Sequence, residues 1–252
     1  MTMDLARDPP ESRLEDERCV MLYDPSAAGN FAASWFDPNH WQAEGALRGK
    51  ATGRGSTLFF ASGGQEFALR HYRRGGLIAQ LCEDLYLNLG ESSSRPFQEF
   101  RVTQRLQCLG LPVARVVAAR YVARGLGCTG DLITQRLLHS RTLAECLHDT
   151  GVTSLVTSDW RAVGTTIARF HAVGLDHADL NAHNLLQDAN GDWHLIDFDR
   201  ARFRPRGLWC DANLVRLRRS LLKVCDLKKI TLDEAWWAAV LAGYRDALRA
   251  AA

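Results

Sequence analysis

The stretch from His177 to Asp199 constrains this chain more than any other. It runs His177-Ala-Asp-Leu-Asn-Ala-His-Asn184, continues through Leu185-Leu186 and an Asn190-Gly191 turn, and ends in Trp193-His-Leu-Ile-Asp-Phe-Asp199. Asn-Gly between two apolar runs predicts a tight hairpin, because the favoured two-residue turn needs positive φ at both central positions. A hairpin returns its second strand beside its first. Asn184 and Asp197, thirteen residues apart, are therefore expected to face one point. An amide oxygen and a carboxylate are hard ligands suited to Mg2+. Asp179, five residues before Asn184, would sit close by without touching the metal, free to orient a substrate hydroxyl and accept its proton. Such a set serves phosphoryl transfer, which depends on positioning and charge neutralisation more than on covalent chemistry.

Asp-x4-Asn followed by Asp-Phe-X resembles the protein-kinase signature of catalytic loop and metal turn. Two positions depart from it: Leu180-Asn181 replaces Leu-Lys, and Asp197-Phe-Asp199 replaces Asp-Phe-Gly. His177 is read as a residue that packs and holds the loop. A kinase also needs a strand cation paired with a helix carboxylate. The run EFALR places Arg70 where lysine is usual, and Glu99 on the following helix is its expected partner. A guanidinium can grip α- and β-phosphates and a carboxylate with a fork rather than a point charge. Gly53 and Gly55 precede the hairpin where a phosphate-covering loop belongs, and glycine there lets backbone N–H groups approach the phosphates. Gln135 to Leu137 is read as a hinge that holds adenine by its backbone. Gly49-Lys50 is followed by Ala51, so the Walker A route to ATP is absent.

The rest of the chain fits an α+β, bilobal protein-kinase-like fold. Residues 57–62 and 66–72 read as strands around a Gly63-Gly64 turn, and Phe97, Phe100, Leu106 and Leu109 mark one helical face ended by Gly110 and Pro112. Two further strands follow, giving an N-terminal antiparallel sheet with one main helix over residues 31–136. Residues 137–252 read as a mostly helical lobe. It carries one helix with Trp160, Val163, Ile167 and Phe170 on a face, another from about Asn213 to Val224, and a last one opened by a capping box at Thr231 to Glu234. Residues 1–30 begin with a polar, acidic segment and are expected to be a loosely held lead-in. They lack the apolar core of a signal peptide, and no apolar run approaches the length of a membrane span. The net charge of +2 gives no bulk argument for nucleic acid. Seven cysteines with no Cys-x-x-Cys pair argue against a zinc site or a disulfide framework.

HADLNAHNLL with LIDFDRAR, the strand run LRHYRRGG, and the early WFDPNHWQAEG and ATGRGST segments resemble the 3-deoxy-D-manno-octulosonic acid (Kdo) kinases, lipopolysaccharide-core kinases of protein-kinase-like fold. The resemblance spans most of residues 35–210. It implies an acceptor, the 4-hydroxyl of Kdo on a lipid A precursor, phosphorylated from ATP with Mg2+. It also implies peripheral association with the anionic cytoplasmic face of the inner membrane, and it puts the family's active-site aspartate at Asp179. Residues 200–229 hold ten Lys or Arg and two Asp, which suits a phosphorylated lipid and anionic headgroups. Asp211 is a candidate anchor for the catalytic loop. A heptose kinase of the same lipopolysaccharide group, an aminoglycoside-type kinase and a pseudokinase scaffold are the competing readings. The basic run argues against an aminoglycoside pocket, and the intact Asp179, Asn184 and Asp197 argue against a scaffold.

Overall fold

The computed structural model describes residues 11–16, 19–51, 57–72, 86–87, 90–124, 127–147 and 155–251. They form two compact units. The first comprises the described residues up to Leu109 together with Ala114–Arg136, and the second comprises Gly110–Val113 and the described residues from Leu137 onward.

The first unit is an antiparallel sheet: β1 (Ser12–Asp16), β2 (Cys19–Tyr23), β3 (Leu47–Ala51), β4 (Thr57–Ser62), β5 (Gln65–His71), β6 (Tyr86–Leu87), β7 (Val116–Arg124) and β8 (Gly127–Gln135). The strand order is β1-β2-β7-β8-β5-β4-β3, with β6 on β8. Gly63 and Gly64, at φ 57 and 76, close the β4–β5 hairpin that the sequence predicts. Alternation along the strands sorts the core onto two faces. Met21, Phe67, Leu69 and Ile133 point into an aromatic cluster with Trp35, Trp41 and Phe60. There the short helix α1 (Pro38–Ala43) stacks Trp41 on Phe60 at 4.1 Å. Leu22, Ala119, Tyr121 and Leu132 point the other way, onto Phe97 and Phe100. Those two belong to the main helix α2 (Arg95–Cys108), after which Gly110 has φ 67.

One expectation fails here. Residues 12–16 and 19–23, placed in a loosely held lead-in, are paired strands, and β2 also pairs with β7. Burying Met21 and Leu22 on opposite faces of the sheet gives this short hairpin its reason to order, which the polar run before it conceals.

The second unit contains β9 (Arg141–Thr142), α3 (Leu143–Cys146), α4 (Thr157–Ala172), β10 (Leu175–Asp176), β11 (Leu185–Gln187), β12 (Trp193–Leu195), β13 (Arg202–Phe203), α5 (Trp209–Lys228) and α6 (Glu234–Ala250). α4 and α6 cross at two glycines. A Cβ on Gly164 would lie 1.9 Å from the Val240 carbonyl, and one on Gly243 would lie 2.0 Å from that of Arg161. Only glycine permits that approach, and it brings Trp160 to stack on Trp236 at 5.3 Å. The expected helix from Asn213 to Val224 extends to Trp209 and Lys228. The capping box at Thr231 does not form. Asp233 is the cap instead, its Oδ1 accepting from the Ala235 N–H at 2.8 Å, and an aspartate serves that position as well as a threonine does. The α+β class, with an antiparallel sheet carrying one main helix and a helical C-terminal part, is as expected.

Candidate active site

The hairpin forms as β11 and β12, with Leu185 opposite Leu195, but its loop spans residues 188–192 and only Gly191 takes positive φ, so the expected two-residue turn is not what closes it. Asp188 staples its turn: Oδ1 accepts from the Asn190 and Asp192 N–H groups at 2.9 and 3.0 Å, and Oδ2 meets His194 Nε2 at 2.9 Å. The strand stops before Asp197, whose φ of 64 lies in the left-handed region that bulky residues avoid and aspartate tolerates.

Around this hairpin the loop closes a ring of four hydrogen bonds. The Asp179 N–H donates to Nδ1 of His177 at 3.2 Å. His177 Nε2 donates to the Ile196 carbonyl at 3.1 Å. The Ile196 N–H donates to the Asn184 carbonyl at 3.0 Å. The Asn184 amide nitrogen returns the chain to the Asp179 carbonyl at 3.0 Å. Each bond fixes the next. Because Nδ1 accepts, the imidazole must be the neutral Nε2–H tautomer. Burial holds His177 in that form by lowering its pKa. Because a carbonyl only accepts, Asn184 must turn its nitrogen toward Asp179, which leaves Oδ1 for another partner. Asn184 is buried while Asp179 is exposed, so the ring holds the backbone beneath a side chain that faces solvent.

Phe198 packs under the ring, 5.4 Å from His177 and 6.0 Å from Phe170. Asn181 adds two local bonds, donating to the Asp179 carbonyl at 3.0 Å and accepting from the His183 N–H at 2.8 Å. Helix α5 supports the loop through residues the sequence did not single out. Ser220 Oγ accepts from the Ala182 N–H at 3.1 Å, and Asn213 donates to Asp176 at 2.8 Å. Asp211, the expected anchor, is exposed in the first turn of α5, one helical face away from those contacts. The only sequence signal for Ser220 is a lone hydroxyl amid an aliphatic and basic helix.

In the first unit, Arg70 and Glu99 come together as the kinase spacing predicts. Arg70 on β5 pairs with the Glu99 carboxylate on α2, whose side chain is 3% exposed against 24% for the arginine. Tyr72 completes the cluster: it accepts from Arg70 at 2.9 Å, donates to Glu99, and lies under the guanidinium at 4.8 Å. Burial pushes the Tyr72 phenol well above its usual pKa, so it stays a donor to Glu99. Tyr72 was missed, although it lies two residues after Arg70 and so shares its face of the strand. At the expected hinge segment, the Gln135 and Arg136 N–H groups are spent on the Arg115 and Glu66 carbonyls at 2.7 and 2.8 Å. Gly53 and Gly55 lie outside the described residues.

Comparison with known proteins gives the family. A family model described as lipopolysaccharide kinase (Kdo/WaaP) family matches residues 38–244. The chain is 41% identical over 206 residues to the 3-deoxy-D-manno-octulosonic acid kinase of Stenotrophomonas maltophilia K279a, covering 81% of each chain. It is 43% identical over 206 residues to that of Xanthomonas axonopodis pv. citri, again covering 81% of each. It is 36% identical over 224 residues to that of Vibrio vulnificus YJ016, covering 89% of this chain and 94% of the relative. A catalytic-type loop tied to its hairpin, in a chain matched over most of its length, has one consistent origin: the protein belongs to the lipopolysaccharide kinase (Kdo/WaaP) family.

Proposed function

We propose that the chain is an ATP-dependent kinase that phosphorylates the 4-hydroxyl of a Kdo residue on a lipid A precursor, in lipopolysaccharide core assembly. The observation that carries the reading is the hydrogen-bonded ring at residues 177–196, which fixes the loop backbone and leaves the Asp179 side chain exposed. Asp179 is the catalytic residue. Its carboxylate accepts a hydrogen bond from the acceptor hydroxyl, aligns it, and takes its proton as the oxygen bonds to the γ-phosphorus. The bond from that phosphorus to the β–γ bridging oxygen breaks, and ADP leaves with the electron pair.

Asn184 and Asp197 fit a divalent cation. The committed amide nitrogen of Asn184 leaves a carbonyl oxygen, Asp197 offers a carboxylate, and Mg2+ takes a few protein oxygens together with phosphates. When bound, the cation neutralises developing charge on the phosphates. Arg70, steadied by Glu99 and Tyr72, is the proposed ligand for the α- and β-phosphates, with Gly53 and Gly55 as candidate backbone donors. A lipid-borne acceptor puts the chain at the cytoplasmic face of the inner membrane as a peripheral protein. Among the described residues no helix is long and apolar enough to cross a membrane.

The test is incubation with ATP and Mg2+ against a panel of Kdo-lipid A precursor, heptosylated core and aminoglycosides, with mass detection of products. Phosphate on the Kdo residue is the expected product. Transfer to heptose or to an aminoglycoside alone would reject the reading.

A further inference from the structure

Helix α5 has two unlike faces. Its inner face carries Asn213, Leu217, Ser220, Leu221 and Val224, which pack on the core and hold the loop. Its outer face carries Leu208 at the cap, Val215 and Leu222, spaced by seven residues and therefore in one stripe along two-turn steps. These are 87%, 48% and 47% exposed, and Leu227 at the helix end is 73% exposed. Scattered exposed leucines need no explanation, but an aligned row on one helix does.

Cations border the row. Arg216, Arg219 and Lys223 lie beside it, and Arg216 and Lys223 are the helical neighbours of Ser220, four residues before it and three after. Asp211 and Asp226 are the acids on the same helix. The charge is segregated. Residues 200–229 carry ten basic and two acidic side chains, while the other 222 residues carry 21 basic and 27 acidic, a net of −6. An aliphatic row flanked by cations on a helix, in a chain otherwise acidic, matches a surface that is apolar inside and negative outside.

We infer that the outer face of α5 is the membrane-docking surface of this protein and that its partner is an anionic phospholipid bilayer. Leu208, Val215 and Leu222 enter the headgroup layer while Arg216, Arg219 and Lys223 meet lipid phosphates. The inference rests on the lipid-borne acceptor proposed above and supplies its geometry. The helix that seats in the lipid also holds the catalytic loop through Ser220, so docking sets the height of Asp179 above an acceptor anchored in the same surface.

The full chain is mixed with phosphatidylglycerol-containing vesicles, without ATP, and sedimented; phosphatidylcholine vesicles are the neutral control. Binding to the anionic vesicles alone is expected. Leu208→Ser with Leu222→Ser should lower partition about tenfold at every salt concentration. Arg216→Gln, Arg219→Gln and Lys223→Gln together should lower it about a hundredfold at low salt and flatten its salt dependence. Leu138→Ser, at an exposed leucine elsewhere, should leave it unchanged. Circular dichroism confirms that each variant is folded. The leucine variants should phosphorylate the precursor in detergent micelles within twofold of wild type. Wild-type partition in the α5 variants, no anionic preference in the wild type, or self-association lost with Leu208 and Leu222 in place of vesicle binding would overturn the inference. Vesicle binding without any product in micelles would instead count against the kinase reading.

Discussion

The two clusters that the sequence marks for phosphoryl transfer are held in opposite ways. At residues 177–196 the scaffold is main chain: three carbonyls and two amide N–H groups, joined by one imidazole and one carboxamide. At Arg70, Tyr72 and Glu99 the scaffold is the functional side chains themselves, one charged pair and a phenol bonded to each other. The first arrangement keeps the carboxylate of the proposed base outside the network, so its geometry survives changes at Asp179. In the second, the proposed ligand and its support are the same atoms. Altering Arg70 strands a buried carboxylate, and breaking such a pair is costly because one charge stays desolvated. One site is built so that chemistry and stability separate; in the other they are coupled.

Four measurements can break or sharpen that contrast. Asp179→Ala should reduce turnover by roughly a thousandfold or more and leave thermal unfolding almost unmoved; retained turnover would remove the proposed base. Arg70→Ala should change both at once, weakening ATP binding and destabilising the first unit by about 3 kcal/mol. Arg70→Lys should keep the fold and raise KM for ATP about tenfold, because a point charge cannot serve Tyr72, Glu99 and phosphate together. A neutral effect of Arg70→Ala on melting would show that Glu99 is not left unpaired. His177→Ala opens the ring at two bonds. It should lower kcat some tens of fold and cost about 2 kcal/mol, and an unchanged kcat would show that the ring does not position Asp179.

The pH dependence of stability is separate from both sites' chemistry. Burial lowers the pKa of His177. It also lowers that of His171, paired with Tyr244 at 2.8 Å, and there the value falls from 6.5 to about 4. Both are held neutral in the fold, so the unfolded chain binds protons first as pH falls. Stability is full above about 6.5 and declines toward pH 4, by on the order of 3 kcal/mol for His171 alone. Unfolding measured from pH 8 to 5 should show the decline. A flat profile would mean that neither imidazole is held neutral.

The β11–β12 hairpin and the Arg70–Glu99 pairing were legible, because local spacing fixes which residues a hairpin or a strand–helix pair can juxtapose; the length of the hairpin loop was not, because Asp188 closes it through its own side chain. The first β-hairpin was not legible. Ser12 to Asp16 has no apolar pattern of its own and orders only because β2 finds β7, a partner about a hundred residues away. Asp233 displaced Thr231 as a cap because both residues can fill the role and the packing of α6 on α4 chooses where the helix begins. Ser220 and Tyr72 carried no motif, and their importance exists only through the groups that tertiary contact brings to them.

The sequence by itself determined which residues are candidates for the chemistry, since that choice depends on residue type and on separations of a few positions along the chain. Only the tertiary structure decided what holds them. The bonds of a ring such as His177–Ile196–Asn184–Asp179 run through main-chain atoms that every residue shares and that no pattern of side chains records.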